Sequence, residues 1–388
     1  MSKRPYDIVL FGATGFTGQL TAEYLASHAP ESARIALAGR NLAKLEAVVE
    51  GLSREFPLVV ADSSNAASLL ELASSTSVVV TTVGPYLAYG EPLVAACAAA
   101  GTGYLDLTGE PEFVDQMYLK HHAQAVATGA RLVHACGFDS IPYDMGCFFT
   151  VNQLPEGVPI AVNGYMRAGA TFSGGTYHSA VGAMSRLRSS ARVAGERRRA
   201  ETAATPLAAA RKVRGSGGRP HNEPLAGGWV VPVPTIDPQI VLRSARALER
   251  YGPDFSYGHY IVTRSARNTG MLIGGAGALV ALSQLTPTRA LLLKVKGPGE
   301  GPDAEARAKS HFKLRLVADT PSQRLITELV GGDPGYGETA KMLSEAALCM
   351  AFDDVPTGGG QLTTAVALGQ PLIDRLGAAG LEFRVVDA

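Results

Sequence analysis

The segment YDIVLFGATGFTG, Tyr6 to Gly18, decides the fold. Its first six residues have the length and apolar character of a buried strand, and the residues that follow, GFTGQLTAEYLASHA, carry a helical pattern. Between them lies a turn with glycine at 12, 15 and 18, a G-x-x-G-x-x-G spacing that differs from the commoner G-x-G-x-x-G. Each glycine still has a physical task in a dinucleotide-binding turn. Gly12 permits the tight bend, Gly15 lets backbone N–H groups approach a pyrophosphate, and Gly18 lets the helix press on the sheet. The helix N-terminus adds partial positive charge. The predicted cradle is Gly12, Ala13, Thr14, Gly15, Phe16, Thr17 and Gly18.

Outward from this turn, short apolar runs alternate with helix-compatible stretches. YDIVLF (6–11), ARIALAG (33–39), PLVVAD (57–62), SVVVTTV (77–83), GYLDL (103–107) and RLVHAC (131–136) read as strands. Runs without polar alternation mark strands buried on both faces, so the expectation is an α/β fold with a doubly wound parallel sheet of Rossmann type. The rhythm ends near Val151. PIAVNGYMRAG, DFSYGHYIVTRSA, HFKLRLVAD and QRLITELVGG then suggest a second α+β domain on a mixed or antiparallel sheet. The expected division is 1–152 for the nucleotide-binding domain and 153–334 for a substrate and oligomerisation domain. Residues 335–388 would supply a C-terminal helix and strand that pack back on the first domain.

The end of the second strand bears on which dinucleotide binds. An NAD site places a carboxylate there for the ribose 2′-hydroxyl, whereas an NADP site offers arginine to the 2′-phosphate. Here stand Gly39, Arg40 and Asn41, with no carboxylate at the tip. A guanidinium can pair bidentately with phosphate, so Arg40 and Asn41 predict NADP(H). Asp62 is read either as an acceptor for the adenine amine or as part of the cap of the helix beginning at Asn65. Val83, Gly84 and Pro85 are placed against the nicotinamide.

Lys plus Arg balances Asp plus Glu, 35 against 35, in 388 residues, so global charge gives no support for a nucleic-acid partner. Cys97, Cys136, Cys147 and Cys349 are scattered through mostly apolar contexts and read as buried thiols of a reducing, cytoplasmic compartment. Neither H-E-x-x-H nor clustered Cys/His spacing is present, so no metal is expected. MSKRPYDIVLFGATG has no cleavage pattern of a secretory leader. Met271 to Leu282 is too short to span a bilayer, which needs roughly 20 apolar residues. The alternatives for it are a buried helix on the sheet, a homodimer contact, or a peripheral contact with the inner face of the membrane.

GATGFTG, AGRN, VGPYLAYGEPLVAACAAAGTGYLDLTGE and CGFDSIPYDMG together resemble the saccharopine dehydrogenase-like oxidoreductases. SGGTYHSAVGAMS, GPGEGP and GGDPGYGETAKMLSEAALCMAFD are similar, more narrowly, to the trans-acting enoyl reductases that serve polyketide synthases in envelope-lipid assembly. The resemblance implies an NAD(P)H-binding Rossmann domain, a substrate domain, and reduction of an α,β-unsaturated acyl thioester on an acyl carrier domain of a polyketide synthase.

Such a reduction delivers hydride to the β-carbon while enolate charge develops on the thioester oxygen, which calls for a hydrogen-bond donor. Tyr86, beside the expected nicotinamide position, is the first candidate. Tyr143 and Ser140 of GFDSIPY are its rivals. Asp106 and Glu110 read as structural, His134 as a core histidine, and Tyr336 with the amides of GGDPGYGET as a helix-terminal loop that can also receive a carbonyl or an anion. Between Arg186 and Arg219 the chain is strongly basic, with Arg192, Arg197, Arg198, Arg199, Arg211, Lys212 and Arg214 among its cations. This arm suggests a docking surface for an acidic carrier domain. Two alternative functions remain: a saccharopine-type reductase of an amino-acid C–N bond, and a non-catalytic NADP-binding, lipid-associated protein.

Overall fold

A computed structural model describes residues 4–169, 181–292 other than 183, 184, 205, 206, 208 and 209, together with 305 and 309–387. GPGEGP and most of SGGTYHSAVGAMS lie outside the described residues.

The chain opens with β1 (Tyr6–Phe11), α1 (Phe16–His28), β2 (Ile35–Gly39), α2 (Leu42–Val49), β3 (Leu58–Val60), α3 (Ala66–Ser75) and β4 (Thr76–Thr81). It continues through α4 (Tyr86–Tyr89), α5 (Glu91–Ala100), β5 (Gly103–Asp106), α6 (Pro111–Thr128) and β6 (Arg131–Val133). The resulting sheet runs β3-β2-β1-β4-β5-β6 and gains a seventh strand, β14 (Gly360–Leu362), beside β6. All its pairings are parallel. The order reverses direction at β1 and β4, which opens a crevice at their carboxyl ends. Ile8, Leu10, Ile35, Leu37, Val78 and Val80 point to one buried face, and Val9, Phe11, Ala36, Ala38 and Val79 to the other. That two-sided burial is why these strands carry no polar alternation.

α7 (Ile141–Asn152) leads into the second sheet, built from β7 (Ile160–Ala168), β8 (Lys212–Gly215), β9 (His221–Glu223), β10 (Gly228–Pro232), β11 (Asp254–Thr263), β12 (Phe312–Asp319), β13 (Arg324–Gly331) and β15 (Glu382–Val386). It runs β15-β13-β12-β7-β11-β10-β9, with β8 alongside the first half of β11. It is mixed: β11 pairs parallel with β7 and β8, and the other pairings are antiparallel. Alternation along β12 sends Phe312, Leu314 and Leu316 into the core, while Lys313 and Arg315 face outward. The remaining helices of this part of the chain are α8 (Leu187–Ala204), which packs on α6, α9 (Asp237–Ala247) and α10 (Ala266–Ser283), which pack on the second sheet, and α11 (Thr286–Leu292), which packs on α10.

The C-terminal segment is shared between the sheets. α12 (Gly337–Phe352) packs on α1 and the first sheet, and α13 (Thr364–Ala378) packs on α12 and α7. β15 instead closes the far edge of the second sheet against β13.

Candidate functional site

The phosphate turn is shaped by contacts no side chain would allow. Gly12 adopts φ +93°, and a Cβ at Gly18 would stand 2.2 Å from the Gly12 carbonyl oxygen. The α1 N-cap, Gly15, offers no side-chain hydrogen bond, so the first amides of α1 keep their donors for an anion. The turn after β4 is stitched to this cradle: the Thr82 hydroxyl donates to the Gly12 oxygen at 3.1 Å, and Val83 N donates to the Thr81 hydroxyl. A dinucleotide pyrophosphate fits the backbone of Gly12 to Gly18.

Arg40 is exposed at the carboxyl end of β2. Asn41 caps α2, its side-chain oxygen accepting from Lys44 N at 3.0 Å. Asp62 accepts from the Ser64 amide and hydroxyl, at 2.9 and 2.8 Å, and Asn65 itself caps α3. Those Ser64 hydrogen bonds, with a smaller contribution from the charge of Arg40, hold the Asp62 carboxyl below its ordinary range.

At the carboxyl ends of β5 and β6 a buried hub fixes the next two loops. Asp106 Oδ2 accepts from the Tyr104 hydroxyl at 2.9 Å and lies 2.6 Å from His134 Nδ1. Its Oδ1 accepts from Thr108 N and Ala135 N, both at 3.0 Å. Ala135, which takes the left-handed φ of 60°, is held there by that bond and by Ser140 N donating to its carbonyl oxygen at 2.7 Å. From the opposite side, Thr339 in the first turn of α12 accepts from Phe138 N, and Tyr336, the α12 N-cap, packs edge-on against Phe16 at the start of α1, 4.9 Å between ring centres. The loop from Ala135 to Ser140 is therefore clamped beside the crevice.

Against that loop stand His259 of β11, Thr235 in the connection after β10, and Asp237 at the start of α9. The Thr235 hydroxyl donates to Asp237 Oδ2 at 2.5 Å, and His259 Nε2 lies 3.2 Å from that hydroxyl and 3.5 Å from Asp237 Oδ2. Tyr143 stacks edge-on to His259 at 4.7 Å. Ser140 Oγ and Asp237 Oδ1 are both buried and make no hydrogen bond of good geometry to a described residue, although the Ser140 hydroxyl is near enough to Asp237 to favour its charged form. Burial pushes the Asp237 carboxyl up, and burial together with the charge of Asp237 pushes Asp139 up. Burial drives His259 down to about 3, so it is neutral and its approach to Asp237 is a polar contact, not an ion pair. The Tyr143 phenol is pushed well above its ordinary value, first by burial and then by the Asp237 and Asp139 charges, and stays protonated.

Residues 8–133 match the family of saccharopine dehydrogenase NADP-binding domains. Over 98% of this chain and 97% of each relative, the sequence is 37% identical to a trans-acting enoyl reductase of Mycobacterium ulcerans and 35% identical to one of Mycobacterium leprae. A Mycobacterium tuberculosis protein provisionally given the same name is 39% identical over the same shares. The chain belongs to the trans-acting enoyl reductase family. The fold is also that of saccharopine dehydrogenase (L-Glu forming) from Saccharomyces cerevisiae, with a TM-score of 0.59 at 12% identity over 98% of this chain and 100% of that one. An NADP-binding dehydrogenase domain in this family makes the protein an NADP-dependent oxidoreductase.

Within this trans-acting enoyl reductase fold the sequence-predicted residues separate. Gly12 to Gly18, Val83, Gly84 and Pro85 converge on one crevice. Tyr143 and Ser140 stand in the polar cluster. Tyr86 does not. Its ring is buried at 5% exposure, its hydroxyl donates to the Thr81 carbonyl oxygen at 3.1 Å and accepts from Leu107 N at 3.2 Å, and its amide donates to Glu110. A phenol spent on bracing β4 to β5 has no hydrogen left for an enolate, so the structure corrects that expectation. Sequence reading missed Asp139, Asp237 and His259. Asp237 had one available signal, the Asp-Pro pair that starts α9.

The basic arm is also redistributed. Arg197 is 4% exposed and is held between Asp115, at 2.7 Å, and Glu201, while Arg243 pairs with Glu201 from the other side. Arg186 pairs with Glu112, Arg214 with Asp254, and Arg211 donates to the carbonyl oxygens of Ala245, Leu248 and Gly252. Arg198, Arg199, Lys212 and Arg219 remain exposed. Among the described cations of the arm only Arg197 is buried; Arg186, Arg192 and Arg214 are exposed members of ion pairs, so the arm joins one internal staple to a basic surface partly offset by carboxylates.

Proposed function

We propose that the protein reduces an α,β-unsaturated acyl thioester presented by the carrier domain of a polyketide synthase, with NADPH as reductant. The observation that carries this reading is the polar cluster of buried Ser140, Tyr143, Asp237 and His259 with half-buried Asp139 beside the dinucleotide crevice, in a chain related along 98% of its length to trans-acting enoyl reductases. When bound, the cofactor supplies hydride to the β-carbon. Gly12 to Gly18 would hold its pyrophosphate, and Arg40, unopposed by a carboxylate at the β2 tip, its 2′-phosphate.

The chain's own groups manage the charge and the proton. The protonated Tyr143 phenol, which makes no hydrogen bond to a described residue, suits donation to the thioester oxygen as it gains enolate charge, and the buried Ser140 hydroxyl beside Asp237 is a second candidate. Asp139 and Asp237, whose carboxyls are raised, hold a proton near neutral pH that one of them passes to the α-carbon. Two carboxyls in this position also argue against a substrate that itself carries several carboxylates, as saccharopine does.

The test is NADPH oxidation with 2-enoyl thioesters, free and carrier-bound, with saccharopine and NADP+ as control. Turnover of enoyl thioesters and not of saccharopine is expected; the reverse overturns the proposal. Cofactor choice is separable. Arg40→Asp should weaken NADPH binding about tenfold or more while sparing NADH, and unchanged NADPH affinity removes Arg40 from the site.

A further inference from the structure

The segment Met271 to Leu282, for which a buried helix was one expectation, is not buried. From Met271 to Ala278 every residue of α10 is exposed, with Met271 59%, Leu272 39% and Ile273 44% accessible, followed by Leu282 at 43% and Leu285 at 60%. A Cβ built at Gly270, Gly274, Gly275 or Gly277 would find nothing within 4 Å. Apolar surface of this extent is not left to water without a partner.

We propose that α10 and the turn into α11 form a contact surface for an anionic lipid membrane, lying along it and not across it. Among the described residues no helix is long and apolar enough to cross a membrane. Successive helical residues are about 100° apart, so Met271, Leu272 and Ile273 alone sweep about 200° of the helix. A single partner helix covers a stripe of roughly 100°, whereas the boundary between headgroups and acyl chains closes around the rest. Charge points the same way. From residue 255 to 299 the sequence holds no Asp or Glu, while Arg264, Arg267, Arg289, Lys294 and Lys296 flank the apolar stretch. Arg264 and Arg267 stand exposed at the start of α10. Cations bordering an apolar helix suit anionic headgroups.

The excursion leaves the second sheet at Thr263, the end of β11, and re-enters it at Phe312, the start of β12. The Phe312 ring lies 5.0 Å from that of Phe138, in the loop that bears Asp139. The membrane contact therefore springs from the rim of the candidate cleft, a placement that suits long acyl substrates; the contact itself does not depend on the proposed reaction.

The test uses the purified full-length protein, sedimented with phosphatidylcholine vesicles with or without about one-third phosphatidylglycerol. Co-sedimentation with the anionic vesicles is expected at low salt, falling about tenfold or more with neutral vesicles or high salt. Met271→Ser with Ile273→Ser should lower binding about tenfold or more, and Arg264→Glu with Arg267→Glu should reduce anionic binding to the neutral-vesicle level. Both variants should keep the wild-type circular dichroism spectrum and NADPH affinity. Absence of vesicle binding, or variants that bind as the wild type does, overturns the proposal. So does a dimer in velocity sedimentation that the Met271→Ser, Ile273→Ser variant dissociates while neither form binds vesicles, since the surface then belongs to a second copy.

Discussion

Replacing Asp237 by asparagine should make the protein more stable at neutral pH and a poorer catalyst. Asp237 is 1% exposed, and its closest donor is the Thr235 hydroxyl at 2.5 Å, with the Ser140 hydroxyl a weaker stabilising neighbour. An asparagine keeps that bond through its amide oxygen. Burial raises the Asp237 carboxyl, so its native pKa stands above the unfolded one. Such a group binds a proton more tightly when folded. It costs nothing in acid, below the unfolded value of about 3.8, and subtracts from stability as pH climbs toward the native value. Each unit of displacement corresponds to about 1.4 kcal/mol. With the displacement shared with Asp139 and partly offset by Thr235, removing one carboxyl should gain about 1–3 kcal/mol at mildly alkaline pH. Urea unfolding of wild type and Asp237→Asn, at about pH 4 and about pH 8, measures this directly. The two midpoints should nearly coincide in acid and separate in favour of the variant in base. In the same variant, kcat for an enoyl thioester should fall about tenfold or more with the NADPH KM little changed. A variant less stable at the higher pH, or a stability difference independent of pH, would show that Asp237 is an ionised and satisfied carboxylate and refute the reasoning.

Gly18→Ala forces a methyl to within 2.2 Å of the Gly12 oxygen, so α1 must shift from the turn; NADPH affinity in a fluorescence titration should drop about tenfold or more, and an unchanged value refutes the close packing of the cradle. Tyr86→Phe removes a hydroxyl bonded to Thr81 and Leu107 and should cost about 1–3 kcal/mol of stability with kcat within about twofold. Tyr143→Phe should do the reverse, lowering kcat about tenfold or more with little change in urea midpoint; equal effects in the two variants would contradict the assignment. Arg197→Met leaves buried Asp115 without its closest cation and should destabilise by about 3–5 kcal/mol in urea unfolding, and an unchanged midpoint would remove Arg197 from the fold's internal support.

The first sheet was legible because its strands are buried on both faces and so spell continuous apolar runs, as in IALAG and the SVVVT of β4. β14 was not, and the reason is physical. Its three residues are GQL, and the buried Gln361 is specified by hydrogen bonds, its amide N donating to His122 Nδ1 and its side chain to the Val114 carbonyl oxygen. No periodicity announces a strand held that way. β8, β9 and β10 fell within or beside the arm read as basic, and their KVRG and HNE segments become strands by pairing, directly or through β10, with the long β11. Tertiary partners decided those elements, not local propensity.

The cradle could be read residue by residue because a phosphate turn is local, a strand end and a helix start joined by glycine. The proton-handling cluster cannot be local. Tyr86 was singled out because it is the phenol nearest the cofactor in sequence, yet proximity along the chain does not say which way a ring turns, and here it turns inward to bridge β4 and β5. Tyr143 lies on α7, just past the loop that follows the first sheet; its phenol is raised first by burial and then by the charge of Asp237, which α9 brings in, and its ring packs edge-on to His259 of β11. Asp139 shows the same dependence, since a carboxyl facing solvent on its own loop would titrate as an ordinary aspartate. In place beside α9, it is raised first by burial and then by the charge of Asp237. Repulsion between two neighbouring carboxyls withdrawn from water is relieved by taking up one proton. In the proposed reduction, the contact of α9 with the loop after β6 would thus bring to the cleft the acid that protonates the α-carbon.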